Sequence, residues 1–278
     1  MSSSPSFAYA GTHSPRLKAA RRLAKRAFRD RDRAFLAEGP QAVAEAFSYG
    51  ARISDLFVTA AARTKHPELV DAIAAAGVQT QLLNDAVMSE LAQTVTPQGL
   101  LAVCGFVDVS LDQALAGGPS LVVVLANVRD PGNAGTVLRT ADAAGAGAVI
   151  FADASVDPYN SKCVRASAGS LFHLPVVTGV RLADVVTGLH TAGLRVIAAD
   201  GGASRSLDDA DVANSLAKPA AWLFGNEAWG LPPELVALAD EAVAVPIYGK
   251  AESLNLATAA AVCLYASARA RRVSGNGA

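Results

Sequence analysis

The chain of 278 residues has few cysteines and lacks the long apolar run that a membrane helix requires. Cys104, Cys163 and Cys263 are odd in number, widely spaced and set among apolar or small residues. They predict reduced core thiols, with no disulfide and no zinc site. No charge-free apolar run approaches the ~18 residues of a membrane span, and the first residues lack the basic-then-apolar order of a secretion signal. These absences predict a cytoplasmic protein that binds neither metal nor membrane.

A glycine-rich dinucleotide signature is also missing. No predicted strand is followed by G-x-G-x-x-G with an acidic residue about 20 positions later. This argues against a nucleotide-dependent oxidoreductase, although such an enzyme would share an α/β sheet. What the chain does have is 51% hydrophobic residues, enough for sizeable cores, and a length that predicts about two domains.

Apolar runs alternate with helical patterns along the chain and predict two α/β units. The run SLVVVLAN, at 120–127, is continuously apolar, as in strands of a parallel sheet that is buried on both faces. The first domain is expected to open with a helix over 15–35. The predicted boundaries are tails of disordered appearance at 1–14 and 273–278, a first domain at 15–108, a linker at 109–119 and a second domain at 120–272.

Positive charge is concentrated at the start of the chain. Residues 1–36 hold nine Lys or Arg against Asp30 and Asp32, a local net of +7, and the remainder is therefore −1 minus +7, or −8. Such a segment on an acidic protein is typical of a polyanion partner, although a solvated helix face has the same pattern. The predicted contacts to this polyanion are Arg16, Lys18, Arg21, Arg22, Lys25, Arg26 and Arg29.

Three polar loops follow predicted strands of the second domain, where ligands bind in open α/β sheets. In the first loop, Asp130–Gly132 predict a tight turn and Asn133 a helix cap. Arg139 lies six residues after Asn133, which is 600° of helix and places the two about 120° apart around the axis. A surface ion pair with Asp142 is the alternative role for Arg139.

The second and third loops carry further candidate residues. The second, LFGNEAWGLPPEL, contains Gly225, which permits close backbone approach, and Glu227 at the mouth of the sheet. We expect Trp229 in this loop to pack structurally. The third, VPIYGKAESLNLATAA at 245–260, holds Ser253 and Asn255, whose side-chain oxygens can cap the Ala-rich helix that follows. All three loops are polar turns that an ordinary strand-to-helix connection would also use.

Taken together, the Asn133 to Arg139 spacing, the string FGNEAWGL and the string PIYGKAESLN resemble the SpoU or TrmH family of RNA ribose 2′-O-methyltransferases, in the SPOUT superfamily. The resemblance covers residues 120–272. The first domain, with AFLAEGPQAVAEA, is similar to the ribosomal-protein-like RNA-recognition domain of many members. The resemblance implies S-adenosyl-L-methionine as the methyl donor, a C-terminal parallel-sheet trefoil-knot domain and a homodimer. It implies no metal.

The resemblance also assigns roles to individual positions. It implies that the catalytic Arg is Arg139, and that Asn133, Glu227, Ser253 and Asn255 complete the catalytic set. Arg139 is expected to grip a phosphate and stabilise the alkoxide, because a guanidinium keeps its proton far above neutral pH. We expect Glu227 to orient Arg139 or Asn133. The implied cofactor contacts are Gly225, Val245, Ile247 and Leu254.

The two-domain layout is similar to that of ribosomal RNA enzymes, including antibiotic-resistance methyltransferases of the thiostrepton-resistance type. It therefore favours 23S rRNA as the substrate. A tRNA ribose methyltransferase of the same family and a non-catalytic RNA-binding protein are the alternatives, and the intact set of candidate residues argues against the second.

Overall fold

A computed structural model of the protein describes residues 7–9, 11 and 14–275. The chain divides into two compact units. Unit 1 takes the described residues up to Val107 together with Tyr159–His173, and unit 2 takes Asp108–Pro158 and the described residues from Leu174 onward. The predicted tails fall partly on residues 1–6, 10, 12, 13 and 276–278, which lie outside the described residues.

Unit 1 is built around a four-stranded sheet. In chain order its first elements are α1 (Pro15–Arg22), α2 (Arg26–Asp32), β1 (Ala34–Glu38), α3 (Pro40–Ser48), β2 (Ile53–Thr59), α4 (Ala60–Lys65), α5 (Pro67–Ala75), β3 (Gln79–Leu83), α6 (Asp85–Ala92) and β4 (Leu100–Gly105). The strand order is β1-β4-β2-β3, with β4 antiparallel to β1 and β2, and β3 parallel to β2. Leu17, Ala20 and Leu23 recur at helical spacing and are buried in its core.

The helix predicted over 15–35 is two helices, separated by a turn at Leu23–Lys25. Arg29 in α2 folds back and donates to the carbonyl oxygens of Leu23 (2.8 Å) and Ala24 (3.0 Å). Arg29 thereby satisfies two carbonyl groups that have no intrahelical partner because the helix is interrupted at this turn. Because Arg29 is only 5% exposed, its prediction as an RNA contact is wrong, and the residue stabilises the turn instead.

The described parts of the predicted tails are ordered. The N–H of Leu82 donates to the carbonyl oxygen of Ala8 at 3.0 Å, and Tyr9 forms a parallel bridge with Leu82. At the other end of the chain, Val273 is the last residue of a helix. The predicted disorder therefore does not hold for 7–9 or for 273–275.

Unit 2 is built around a six-stranded sheet in which every strand pairing is parallel. Its elements are α7 (Leu111–Leu115), β5 (Leu121–Ala126), α8 (Pro131–Ala143), β6 (Ala148–Ala152), β7 (Val176–Val180), α10 (Leu182–Thr191), β8 (Arg195–Ala199), α11 (Ala210–Ser215), β9 (Ala220–Phe224), α12 (Pro233–Val236), β10 (Glu241–Val243) and α13 (Leu256–Val273). The strand order is β10-β8-β9-β5-β6-β7. Every residue of β5 is buried, as predicted for a strand covered on both faces.

The C-terminal helix α13 packs against α8 and β9. Trp222 in β9 is fully buried, and its indole N–H donates to the hydroxyl of Ser267 in α13 at 2.8 Å. A buried indole needs such a partner, because an unpaired buried donor destabilises the fold. This bond fixes where α13 lies on the sheet.

The segment predicted as a linker, 109–119, is instead part of unit 2. Ser110 forms a capping box with Gln113 and starts α7, which buries Ala114 and Leu115 in the unit 2 core. The last strand of the chain, β10, ends at Val243, before Val245 and Ile247.

A return of the chain completes unit 1. After β6 the chain supplies α9 (Ser161–Ser167) and a 3-10 turn, and Tyr159 just before them is 2% exposed. The Tyr159 ring stacks on Phe106, with centroids 3.8 Å apart, and lies 4.8 Å from Phe35. Its hydroxyl accepts the N–H of Val107 at 2.9 Å. Unit 1 is therefore discontinuous in sequence.

The three cysteines are buried, reduced thiols, as predicted. Burial raises the pKa of the Cys104 thiol to about 12, and that of Cys263 likewise to about 12, although a backbone hydrogen bond partly opposes the shift at Cys263. Both thiols are therefore protonated and unreactive at neutral pH.

Among the described residues, no helix is both long enough and apolar enough to span a bilayer. The same part of the chain contains no cluster of three or more His, Cys, Asp or Glu that could hold a metal ion.

Candidate active site

Three loops of unit 2 meet at the carboxyl edge of its sheet. They follow β5, β9 and β10, and because these strands are parallel, their carboxyl ends lie along one edge. Two of the loops lead directly into α8 and α13, the helices that pack against each other. This edge therefore combines free backbone groups, helix N-termini and polar side chains.

Asp130 caps helix α8 at the end of the first loop. Its carboxylate accepts the N–H of Asn133 at 2.8 Å, and Pro131 occupies the first turn, where a missing N–H costs nothing. The prediction that Asn133 caps this helix is therefore wrong, because Asp130 has that role. The side chain of Asn133 is left to bond neighbouring loops.

The carboxylate of Glu227 holds the first loop in place. It accepts hydrogen bonds from the N–H groups of Arg129 (3.1 Å) and Asp130 (3.0 Å), and from Nδ2 of Asn133 (3.3 Å). Burial raises the pKa of this carboxyl, but the hydrogen bonds together outweigh burial and leave the pKa below its ordinary value. Glu227 is therefore ionised at neutral pH and acts as an acceptor, not as an acid.

Asn133 links the second loop to the third. While its Nδ2 donates to Glu227, its Oδ1 accepts from Nδ2 of Asn255 at 3.0 Å. Oδ1 of Asn255 in turn accepts the N–H groups of Ala257 (2.9 Å) and Thr258 (3.3 Å) and so caps α13, as predicted. One hydrogen-bonded chain, from Glu227 through Asn133 to Asn255, thus connects all three loops.

A tight turn at 225–230 fixes the second loop. Asn226 and Gly230 exchange backbone hydrogen bonds at 2.8 and 2.9 Å, and Nδ2 of Asn226 donates to the Asn127 carbonyl at 2.8 Å. A Cβ at Gly225 would lie 2.3 Å from the carbonyl oxygen of Gly230. Gly225 is thus required by its own turn, and Asn226, which the sequence interpretation missed, joins the ends of β9 and β5.

A cavity of about 260 Å³ opens beside these loops, at the carboxyl ends of β8, β9 and β10. The predicted residues that line it are Gly225, Glu227, Val245, Ile247, Ser253 and Leu254. Val245 and Ile247 reach it because β10 ends early. The sequence interpretation missed the other polar wall, formed by Asp200, Gly201 and Glu252. An acidic residue directly after β8 was the available signal for Asp200.

Arg139 is not joined to these three loops by a hydrogen bond or an ion pair. Its side chain is exposed on α8, and it makes no hydrogen bond or ion pair with another described residue, so the alternative pairing with Asp142 is absent. It does not line the cavity. The structure therefore joins Asn133, Glu227 and Asn255 directly, places Ser253 on the cavity wall and leaves Arg139 available to a ligand.

Trp229 is 59% exposed at the tip of the second loop. The prediction that it packs structurally is therefore wrong. The tight turn at 225–230 holds its own shape through backbone bonds and leaves this ring at the surface.

The basic helices of unit 1 are described separately. Arg16 pairs with Asp55 at 2.7 Å, Arg21 with Glu90 at 2.8 Å and Arg26 with Asp30 at 3.5 Å. The guanidinium of Arg22 lies over the Phe28 ring, 4.5 Å from its centroid. The exposed members of the predicted set that form no such ion pair within the described residues are Lys18, Arg22 and Lys25.

Comparison with protein families gives two matches. Residues 120–265 match the SpoU rRNA Methylase family, and residues 14–102 match the MRM3-like substrate binding domain. The chain is 34% identical over 237 residues to the 23S rRNA (guanosine(2553)-2′-O)-methyltransferase RlmP of Bacillus subtilis, which covers 85% of this chain and 89% of that protein.

Solved structures match along almost the whole chain. The AdoMet-bound rRNA methyltransferase from Sinorhizobium meliloti is 31% identical, with a TM-score of 0.82 over 94% of this chain and 96% of that one. The SpoU methyltransferase AviRb from Streptomyces viridochromogenes, in complex with AdoMet, is 28% identical, with a TM-score of 0.80 over 94% and 100% of the two chains.

Proposed function

The chain belongs to the SpoU rRNA methylase family, and from this premise we propose that it transfers a methyl group from S-adenosyl-L-methionine to a ribose 2′-hydroxyl of 23S rRNA. The predicted family and fold class, an α/β methyltransferase domain preceded by a small α/β domain, are confirmed by these matches. One observation carries the proposal for the site. The second and third predicted loops line a single strand-end cavity, and the first loop is hydrogen-bonded to them through Glu227, Asn133 and Asn255.

The cavity suits S-adenosylmethionine in its chemical character. The cofactor presents a flat adenine ring, whose faces suit apolar contacts, and carries positive charge on its sulfonium and its ammonium group, with a carboxylate beside the ammonium. Val243, Val245 and Leu254 offer an apolar wall, while the carboxylates of Asp200 and Glu252 on the same cavity suit a cation. When bound, the cofactor supplies an activated methyl group. Ser253 and the backbone near Gly225 are further groups that would hold it.

The chain's own residues have two tasks in this reaction. They must align the ribose oxygen for in-line displacement, and they must stabilise the charge that develops as its proton leaves. We assign the first task to Asn133, Asn255 and Ser253. We assign the second to Arg139, whose guanidinium has several N–H donors and makes no hydrogen bond or ion pair with another described residue.

Unit 1 is assigned to RNA recognition. Its match to a substrate binding domain supports this role, and Lys18, Arg22 and Lys25 are the basic groups best placed to contact phosphates. Removing residues before Phe35 would be a poor test, because Leu17 and Leu23 belong to the unit 1 core. Reversing the charge of Lys18 and Lys25 together tests the same role without loss of core.

We also assign a homodimer in the cytoplasm. Val262 on α13 is 41% exposed, and Ile247 and Leu254 beside the cavity are 38% and 37% exposed. Apolar side chains exposed near a site favour a protein interface. Sedimentation of the purified protein measures the assembly directly.

The central test combines cofactor binding and product mapping. Calorimetry should show S-adenosylmethionine binding, and saturating cofactor should raise the melting temperature, as any ligand of the native state does. The purified enzyme should then methylate 23S rRNA isolated from a strain that lacks it, at a ribose that primer extension identifies. If saturating cofactor gives neither heat nor a shift in melting temperature, the site assignment is wrong.

A further inference from the structure

A second concave surface lies at the opposite edge of the unit 2 sheet. It is a groove of about 790 Å³ between the ends of α8 and α13, at the amino end of β5. Its wall contains no carboxylate among the described residues. We call this surface the arginine groove, and its lining residues include Ser120, Ala144, Tyr265, Arg269, Arg271 and Arg272.

Arg271 is the unusual member of this groove. It is 5% exposed, and its Nη1 donates to the hydroxyl of Ser120 at 2.8 Å. No carboxylate pairs with it in the described part of the chain, and burial lowers its pKa. A guanidinium has five N–H donors, and a buried charge destabilises a protein unless it is paired. The groove that Arg271 lines offers a place for an anion.

The helix ends compensate only part of this charge. Helices α8 and α13 both terminate at the groove, and each carries about half an elementary negative charge at its C-terminus. Their sum is about one negative charge, against three guanidinium groups. Arg269 and Arg272 are exposed and have no ion-pair partner among the described residues. The groove therefore keeps a net positive charge.

An aromatic ring lies beside this charge. Tyr265 is 53% exposed and lines the groove one helical turn before Arg269. Exposed aromatic faces next to arginines are the groups that stack bases while the guanidinium groups hold phosphates. The small residues Ala143, Ala144 and Ala268 leave room for such a ligand.

We propose that the arginine groove is a second RNA contact, in which Arg271 binds a backbone phosphate and Tyr265 stacks on a base. The proposal rests on the proposed function for the identity of the polyanion. It places this contact in the methyltransferase unit itself, at the edge of the sheet away from the cofactor cavity.

Binding of a mixed-sequence 15-nucleotide RNA at several salt concentrations tests this. Arg271→Leu should weaken affinity about tenfold at low salt and reduce the log-log salt slope by about 0.7, the value for one phosphate of a single strand. Arg181→Leu is the matched control, because Arg181 is exposed and paired with Asp184. It should change neither quantity. Arg271→Leu should also melt no lower than the wild type, because an uncompensated buried charge is removed.

Further variants keep the test decisive if Arg271→Leu fails to fold. The double variant Arg269→Gln and Arg272→Gln should lower the salt slope. Tyr265→Ala should weaken RNA affinity and leave the salt slope unchanged. Unchanged affinity and slope in folded variants would overturn the proposal. The proposal would also be overturned if inorganic phosphate stabilised the wild type while the variants bound RNA as tightly as the wild type does. It would be overturned as well if the variants lost RNA affinity only together with a change in sedimentation coefficient, because a second copy of the chain would then be the occupant of the groove.

Cofactor calorimetry on the same variants separates the two proposals. Normal S-adenosylmethionine binding with lost RNA affinity supports the groove. If the wild type binds RNA through the groove but binds no cofactor, the proposed function is overturned and the proposal for the groove is not.

Discussion

The charged side chains at the two edges of the unit 2 sheet differ in how fully they are hydrogen-bonded. At the carboxyl edge, Glu227 receives hydrogen bonds from three residues of the first loop, and these lower its pKa. At the amino edge, the more deeply buried Arg271 has the hydroxyl of Ser120 as its bonded side-chain partner. A saturated charge fixes neighbouring groups in place, whereas an unsaturated one is available to a ligand. By this criterion we expect Glu227 to position the site, and Arg139 and Arg271 to contact RNA.

The largest expected effect belongs to Arg139, the unsaturated charge near the carboxyl edge. Arg139→Ala should lower turnover by about 10²–10³-fold, as the loss of one stabilising donor does, while cofactor affinity stays unchanged. Arg139→Lys should recover little, because a point charge does not reproduce the planar guanidinium. Steady-state kinetics and calorimetry measure both. Near-normal turnover in Arg139→Ala would remove this residue from the mechanism.

The next effect tests how the carboxyl edge keeps its shape. Gly225→Ala should destabilise the fold by about 2–4 kcal/mol and abolish cofactor binding, because the new Cβ would lie against the backbone of Gly230 and Leu231. Gly249→Ala is the matched control, since a Cβ there meets nothing within 4 Å. Chemical denaturation and calorimetry compare the two. Equal stability of both variants would show that the turn is not rigid.

A smaller effect is expected for Glu227, the carboxylate that accepts several hydrogen bonds. Glu227→Gln should cost about 1 kcal/mol of stability at neutral pH, because the loop donors lose an ionised acceptor. The pKa of Glu227 is lowered in the folded protein, so its stabilisation is complete above the ordinary value of 4.5 and is lost as the pH falls through the folded pKa. The stability difference between wild type and Glu227→Gln should therefore be constant above about pH 6 and shrink below 4.5. A pH-independent difference would contradict this role.

The smallest effect is expected for Trp229. Because its ring is 59% exposed and the turn holds itself by backbone bonds, Trp229→Ala should change stability by less than about 0.5 kcal/mol. Ser267→Ala is the contrast, since it leaves the buried indole of Trp222 without its acceptor and should cost about 1–3 kcal/mol. Thermal denaturation of both variants gives the comparison.

Features that depend on residues close together in the sequence could be predicted, and features that depend on contacts between distant residues could not. The strands β5, β6 and β9 of unit 2 are uniformly apolar, and the helices that follow them have helical spacing, so the sequence predicts the α/β alternation well. The strand-end positions of Gly225, Val245, Ile247 and Leu254 were predictable as well, and they line one cavity. Their contact with the cofactor stays a prediction.

The misses arise where local patterns are weak or misleading. Helix α4 is six residues long, and its cap, Thr59, is also the last residue of a strand. Asn133 and Asp130 are both good cap residues, and only their geometry relative to Pro131 and Glu227 decides between them. The broken first helix depends on Arg29, whose bonds to the turn before it have no sequence signature.

The discontinuity of unit 1 has a consequence for synthesis on the ribosome. Its core is completed by Tyr159–His173, so 173 minus 107, or 66, residues must be made after Val107 before the unit can close. At about 5–20 residues per second, this delay is roughly 3–13 s. During that time Phe35 and Phe106 lack the ring of Tyr159 that covers them. The nascent chain therefore exposes part of this aromatic cluster until the return segment has been made.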